Sequence, residues 1–301
     1  MSIRLARGTL ALGWCMALML TVTAQVAAET ALDEYVARPD PAYRYRLYQT
    51  DRTFAYTTYF LQMTSQQWRT AAEVDRPLWT HEIQVTVPNL RYSSSPRTAL
   101  LIVNGGRNGR PLDTETGELL STLALVTGSV VAMVNQIPNQ PLYLTDEIDV
   151  PRSEDALLAY SLDKVLTTGD PAWAVHFAMT KAVVRAMDTV QTWLRWRRVR
   201  IDDFIVLGGS KRGWTAWLAA AVDPRVKAVV PVSSDLLNLS RQFTHQWEAL
   251  GFYTPAIADY VAFDLPCRAQ SPEAQSLLEI IDPYFYRDRY TMPGSAPIYR
   301  I

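Results

Sequence analysis

Two kinds of hydrophobic pattern alternate along the central part of the chain. Four segments are continuous apolar runs, as expected for strands buried on both faces; they lie at residues 99–103, 129–134, 204–207 and 226–232. At residues 174–196, apolar side chains recur at steps of three and four, which predicts an amphipathic helix. Buried strands that alternate with helices predict an α/β fold, a mostly parallel sheet with helices on both faces.

The flanking segments follow other patterns. Residues 29–50 are rich in Tyr, Arg and Pro and predict an irregular lead-in. Aromatic and β-branched residues at 54–63 and 78–87 alternate partly with polar ones, which predicts two antiparallel strands. A short buried helix is expected at 214–222. Residues 236–290 are aromatic-rich and largely helical in pattern, and we interpret them as a cap-like excursion from the sheet.

The N-terminus has the pattern of an export signal. Two arginines precede an apolar run at residues 10–22, and small residues follow it up to Ala28. A membrane anchor is the alternative, but this run is shorter than the roughly 20 apolar residues that span a bilayer. We therefore expect a signal peptide at residues 1–28, cleavage after Ala28 and one mature domain at residues 29–301. The mature chain would be exported to the periplasm or secreted, with no stable membrane span.

Charge and composition exclude several classes of function. The 301 residues include 29 basic and 30 acidic ones, so the formal charge is −1 and nothing predicts a nucleic-acid partner. Arginines cluster at residues 195–200, which fits the C-terminus of a helix. Neither a metal-ligand spacing nor a cofactor motif is present, so we expect no metal and no cofactor. Cleavage of the leader leaves Cys267 alone, without an intramolecular disulfide.

Ser210 is the candidate nucleophile. It follows the buried strand at 204–207 and precedes a helix, where backbone N–H groups favour an oxyanion. Gly208 and Gly209 supply the small residues that a nucleophile elbow needs before its serine. Arg212 replaces the usual glycine two positions later, and Gly213 arrives one position late. A tight strand-to-helix turn with a capping serine is the structural alternative.

The oxyanion donors and the acid–base partners are less well defined. The backbone N–H of Lys211 and that of Gly106, in the Gly-Gly loop after the strand at 99–103, are the expected donors. His245 is the base candidate because it is the one histidine that follows Ser210. Asp235 is the acid candidate because a carboxylate at the end of a strand can orient a histidine, although it could equally cap a helix. The other two histidines, His81 and His176, precede Ser210, in an early strand and at a helix start.

Four strings carry a resemblance to a known family; they lie at residues 104–106, 135–142, 208–215 and 281–284. Together they resemble the PhoPQ-activated pathogenicity-related family, which also includes autocrine proliferation repressor proteins. The resemblance implies an exported α/β-hydrolase-like protein with Ser210 at the elbow. A weaker likeness to glucuronoyl esterases implies that Lys211 matches their basic residue after the nucleophile, which helps the oxyanion.

The sequence after residue 293 departs from that family, in which a further strand, a Gly-Asp turn and a histidine segment follow. We therefore expect a C-terminally truncated relative that lacks the last strands and the late acid and histidine. The expected function is a serine hydrolase scaffold for a small ester or amide substrate, with impaired activity. The alternatives are a non-catalytic secreted protein that binds a protein partner or signals, and a nonfunctional product degraded after export.

Overall fold

The computed structural model describes residues 29–90, 95–110 and 114–291. The predicted leader and the sequence after residue 293 lie outside the described residues. The main sheet has seven strands in the order β1-β2-β3-β5-β4-β8-β9. They are β1 Arg44–Arg52, β2 Tyr56–Gln67, β3 Leu78–Pro88, β4 Thr98–Val103, β5 Val131–Val134, β8 Asp203–Gly209 and β9 Val226–Val232, with a separate hairpin of β6 Leu142–Tyr143 and β7 Pro151–Arg152.

The sheet combines an antiparallel and a parallel half. Strands β1, β2 and β3 form an antiparallel meander, and β3 pairs antiparallel with β5. Strands β5, β4, β8 and β9 are parallel to one another, and the last three contain the apolar runs at 99–103, 204–207 and 226–232. Strand β9 is an edge of the described sheet and only Val229 in it is buried, so the expected burial on both faces does not hold there. The α/β class is confirmed. The carboxyl ends of the parallel strands meet at one edge, where ligands of open α/β sheets bind.

Nine α-helices surround the sheet within the described residues. They are α1 Ala31–Ala37, α2 Thr114–Thr127, α3 Glu154–Thr168, α4 Val175–Arg195, α5 Lys211–Val222, α6 Leu239–Leu250, α7 Ala258–Val261, α8 Leu265–Arg268 and α9 Pro272–Ile281. Short 3₁₀ helices lie at Pro171–Trp173, Pro255–Ile257 and Pro283–Thr291. None of the helices described is long and apolar enough to cross a membrane.

Strand β5 shows how both faces of the sheet are covered. Val131 and Met133 pack with Leu120 and Ala124 of α2 in one cluster. Its alternate residues, including Val134, belong to the main core on the opposite face, to which α4 and α5 both contribute apolar side chains. Because successive side chains of a strand point to opposite faces, one apolar run supplies both clusters.

The expectation of an irregular lead-in at residues 29–50 was wrong. Thr30 and Asp33 form a reciprocal capping box that starts α1, since the Thr30 side chain accepts from the Asp33 N–H and the Asp33 carboxylate accepts from the Thr30 N–H. The end of that segment belongs to β1, which pairs with β2. Local capping and cross-strand pairing therefore order a segment whose composition is that of a loop.

Asp282 joins the two ends of the helical segment that contains α6 to α9. Its carboxylate accepts hydrogen bonds from the backbone N–H groups of Asn238 (3.2 Å), Leu239 (2.7 Å) and Tyr284 (2.9 Å). Burial raises the pKa of Asp282, although these three donors oppose that shift. The indole N–H of Trp214 in α5 donates to the Ile281 carbonyl at 2.6 Å, which ties the same point to the helix that follows Ser210.

Candidate functional site

The backbone of Ser210 is held in a rare conformation between β8 and α5. Its φ is 53° and its ψ is −125°, a region that residues other than glycine seldom adopt. The Ser210 N–H donates to the Val232 carbonyl at 2.8 Å, and the Ser210 carbonyl accepts from the Gly213 N–H at 2.8 Å. The side chain is exposed at the sharp turn that the sequence predicted. This is the geometry of a strained strand-to-helix elbow.

Close packing explains which neighbours of Ser210 are glycines. A Cβ on Gly208 would lie 2.3 Å from the Arg212 carbonyl oxygen, and one on Gly213 would lie 2.7 Å from the Ser234 Cβ. A Cβ on Gly209 would have no neighbour within 4 Å. The turn therefore requires glycine two positions before the serine and three after it, so the late Gly213 fits this elbow.

Arg212 connects the elbow to the loop after β4. Its Nε donates to the Ile137 carbonyl, and its two terminal nitrogens donate to the Glu154 carboxylate, all at 2.6 Å. A Cβ on Gly105 would lie 2.6 Å from Nη2, so the guanidinium packs directly against that loop. The Gly105 carbonyl in turn accepts from the Gln136 N–H at 2.7 Å. One side chain thus holds three segments together around Ser210.

Glu154 balances the two cations that follow Ser210. Its carboxylate accepts from Arg212, lies 2.8 Å from the Lys211 ammonium and also accepts from the Gln140 side chain. Burial alone would raise the pKa of Glu154, but these hydrogen bonds outweigh it and lower the pKa to about 2. Sequence reasoning missed Glu154. Its acidic position in the first turn of α3 indicates only the start of a helix.

Lys211 is buried, with its side chain 8% exposed. The ammonium also lies 3.1 Å from the Asp155 carboxylate, which accepts from the Tyr260 hydroxyl at 3.0 Å. The backbone N–H of Lys211 is at the first position of α5, beside Ser210. In the loop after β4, the Gly105 N–H donates to the Asn104 side chain, and Gly106 has a φ of 122°.

A cavity of about 370 Å³ opens beside Ser210. Its polar end contains Ser210, Lys211 and Asp155, with Asp235 and Tyr260 also in the lining. The other walls are mainly apolar side chains of α3, α6 and α9 and of the residues near α8. Asp235 is not the cap of α6, because the Asn238 side chain accepts from the Arg241 N–H in that position. The structure therefore brings Ser210, Lys211 and Asp235 to one cavity.

The structure does not bring His245 to Ser210. Leu239, Phe243 and Gln246 of α6 line the cavity, whereas His245 is exposed on another face of that helix and lines a separate surface pocket. Side chains of a helix diverge by about 100° per residue, which separates His245 from Gln246. His245 is therefore not placed to act as the base for Ser210.

The other two histidines are buried inside the protein. His81 bonds through its ring nitrogens to the Ser65 hydroxyl (2.9 Å) and the Asn135 carbonyl (3.0 Å), and burial lowers its pKa to about 4. The His176 ring lies 4.1 Å from the Trp214 ring, neither of its nitrogens has a partner, and burial lowers its pKa to about 3. No histidine is among the described residues that line the cavity.

Comparison with known proteins adds a family and a fold. A sequence model of the family described as "PhoPQ-activated pathogenicity-related protein" matches residues 32–296. The chain is 37% identical over 278 residues to autocrine proliferation repressor protein A of Dictyostelium discoideum. That alignment covers 92% of this chain and 55% of the relative, so the chain spans about half the length of this curated relative.

Two solved structures are similar in fold. Acetyl xylan esterase from Paenibacillus sp. R4 has a TM-score of 0.53 and 17% identity, over 88% of this chain and 78% of that one. Acetyl xylan esterase 1 from Thermoanaerobacterium sp. JW/SL YS485 has a TM-score of 0.52 and 16% identity, over 86% and 74%. At these identities the likeness shows the α/β-hydrolase fold alone.

Proposed function

Because the chain belongs to the PhoPQ-activated pathogenicity-related protein family, we propose that it is an exported serine hydrolase-like protein that acts on small ester or amide substrates. Ser210 is the nucleophile. The observation that carries this proposal is the strained backbone of Ser210, which presents its hydroxyl at the polar end of a cavity. Strain of this kind persists where the surrounding structure maintains it for function.

Two backbone donors would stabilise the oxyanion. When the Ser210 Oγ attacks a substrate carbonyl, the new Oγ–C bond leaves negative charge on the carbonyl oxygen. The Lys211 N–H is favourably placed because it begins α5, where the helix dipole adds positive potential. The second donor that we propose is the Gly106 N–H in the loop after β4, where the Gly105 N–H already donates to Asn104. Neither glycine is among the described residues that line the cavity.

The expected rate is low. No histidine is among the described residues that line the cavity, so no imidazole takes the Ser210 proton there. Enzymes that lose triad members keep only about 10³–10⁴-fold catalysis over water, from binding and the oxyanion hole. We therefore propose an impaired hydrolase and retain Asp235 as the candidate acid because it lines the same cavity.

Labelling with a fluorophosphonate tests the role of Ser210. An Oγ–P bond forms, and fluoride leaves with the serine proton. We expect slow labelling of the mature chain, none of the Ser210→Ala variant, and labelling at the wild-type rate of the Ser276→Ala control, which removes an exposed hydroxyl on α9. Equal labelling of wild type and Ser210→Ala would assign the reaction to another residue and reject this nucleophile.

A second candidate is a non-catalytic secreted protein that binds a protein partner or signals. The absence of histidine from the described cavity lining favours it, as does the name of the relative, a repressor of proliferation. It predicts that purified wild type and Ser210→Ala slow the growth of Dictyostelium discoideum cultures equally. Loss of the effect in Ser210→Ala alone would favour the hydrolase.

Export is part of the proposal. It requires a leader at residues 1–28 and a mature single domain from residue 29 with a cap-like helical segment at 236–290. Mass spectrometry of the protein recovered from the periplasm or the medium should give a chain that begins at Glu29. An N-terminus at Met1 in that fraction would reject cleavage after Ala28.

A further inference from the structure

We infer that the cavity beside Ser210 binds the acyl chain of a neutral ester, about twelve carbons long. This inference rests on the proposed function, which places the ester group at Ser210. It goes further because it assigns the substrate class by the chemistry of the cavity walls.

Beyond the polar end, the cavity is lined mainly by apolar side chains. Leu162 and Leu166 come from α3, Phe243 comes from α6, and Leu277 and Ile281 come from α9. Leu277 and Ile281 are buried even though they line the cavity. These apolar side chains on several sides offer dispersion contacts to methylene groups and no hydrogen bonds to sugar hydroxyls. Gln246 and Thr254 also line the cavity, and the Gln246 side chain already accepts from the Thr254 N–H at 2.8 Å.

The volume sets the length of the chain. An engineered apolar cavity of about 150 Å³ takes one benzene, which has six heavy atoms. A cavity of about 370 Å³ accommodates about 15 heavy atoms at the same ratio. Methyl dodecanoate has that size: twelve acyl carbons, two oxygens and one methyl group. An acetyl group would leave most of the cavity unfilled.

The charges favour a neutral head group. Of the described residues that line the cavity, Lys211 alone is basic, and its ammonium is already paired with Glu154 and Asp155. Arg212 also pairs with Glu154, so the two cations Lys211 and Arg212 are balanced by the two carboxylates Glu154 and Asp155. No uncompensated positive charge in this group attracts a carboxylate, so an ester should bind more tightly than the free fatty acid.

Binding to the Ser210→Ala full chain tests the inference without turnover. Methyl esters from butanoate to hexadecanoate displace Nile red from the cavity. We expect affinity to rise about fourfold per methylene, since burying one CH₂ contributes about 0.8 kcal/mol and 1.36 kcal/mol is tenfold. The rise should stop near dodecanoate, and dodecanoate itself should bind more weakly than its methyl ester. Affinity that does not depend on chain length would overturn the inference, and so would tighter binding of the free acid.

Filling the cavity should shorten the preferred chain. Ala274→Leu adds three carbons from α9 and should move the best ester about three carbons shorter. Ser276→Leu makes a similar addition on the exposed face of the same helix and should leave the optimum unchanged. Ala269→Leu gives an independent filling variant if the first one does not fold. If the preferred chain length is the same in wild type and in every filling variant that folds, the esters bind outside this cavity.

The two proposals fail separately. If ester affinity depends on chain length but wild type is not labelled by the fluorophosphonate, the hydrolase proposal is rejected and the acyl-binding cavity is retained. If Ser210 is labelled but all esters bind with equal affinity, the hydrolase proposal is retained and the acyl-binding cavity is rejected.

Discussion

Acidification should destabilise this protein through two buried histidines. Burial lowers the pKa of His176 to about 3 and that of His81 to about 4, against an ordinary value of 6.5. Below pH 6.5 the unfolded chain binds a proton at each site, whereas the folded chain does not until its lower pKa is reached. Stability therefore falls as the pH drops through 6.5. Between pH 7 and pH 5 each histidine contributes a loss of about 2 kcal/mol, from 1.36 kcal/mol per pH unit.

Urea unfolding at pH 7 and pH 5, followed by tryptophan fluorescence, measures this loss. His176→Phe isolates one site, because both ring nitrogens lack partners and an apolar ring loses no hydrogen bond. The variant should lose about 2 kcal/mol less than wild type on acidification. Titrating carboxylates act in both proteins and cancel in the comparison. His245→Gln, on the exposed face of α6, is the matched control. Equal losses in wild type and His176→Phe would refute the reasoning.

Substitutions at four further positions test the elbow. Gly208→Ala should cost about 3 kcal/mol because its Cβ would meet a carbonyl oxygen at 2.3 Å, whereas Gly209→Ala should stay within about 1 kcal/mol of wild type in urea titrations. Ser210→Gly should raise the free energy of unfolding by about 1 kcal/mol by relieving backbone strain, and Ser210→Ala should not. Arg212→Lys should lower the free energy of unfolding by about 2 kcal/mol and slow fluorophosphonate labelling, because lysine cannot make the two parallel hydrogen bonds to the Glu154 carboxylate. An unchanged labelling rate would show that Arg212 does not position Ser210.

The sequence predicts the centre of the fold well and its surroundings less well. The run at 204–207 and the glycines before Ser210 are local signals, because burial on both faces and a tight turn restrict residue types directly. In the first half of the sheet, β2 and β3 form the antiparallel pair predicted at 54–63 and 78–87, but β1 was missed. Strand β1 is largely exposed and has no apolar run, so its pairing with β2 identifies it as a strand.

In the candidate site, too, local features were predicted and long-range contacts were not. The turn at Ser210 was predicted from adjacent residues. The partner of Arg212 was not, because Glu154 lies 58 positions earlier in the chain and only the folded sheet brings them together. His245 shows the opposite failure. Its position after Ser210 fits the order of a catalytic triad, but the turn of α6 directs it away from the cavity.

The Asp282 carboxylate has a consequence for how this site could diversify. By accepting the N–H groups of Asn238 and Leu239, it closes residues 238–282 into a non-covalent ring anchored at one point. Helices inside such a ring can change in length and sequence while both its ends stay fixed. Under the proposed function, relatives could therefore exchange the cavity wall that this segment supplies and leave Ser210 undisturbed.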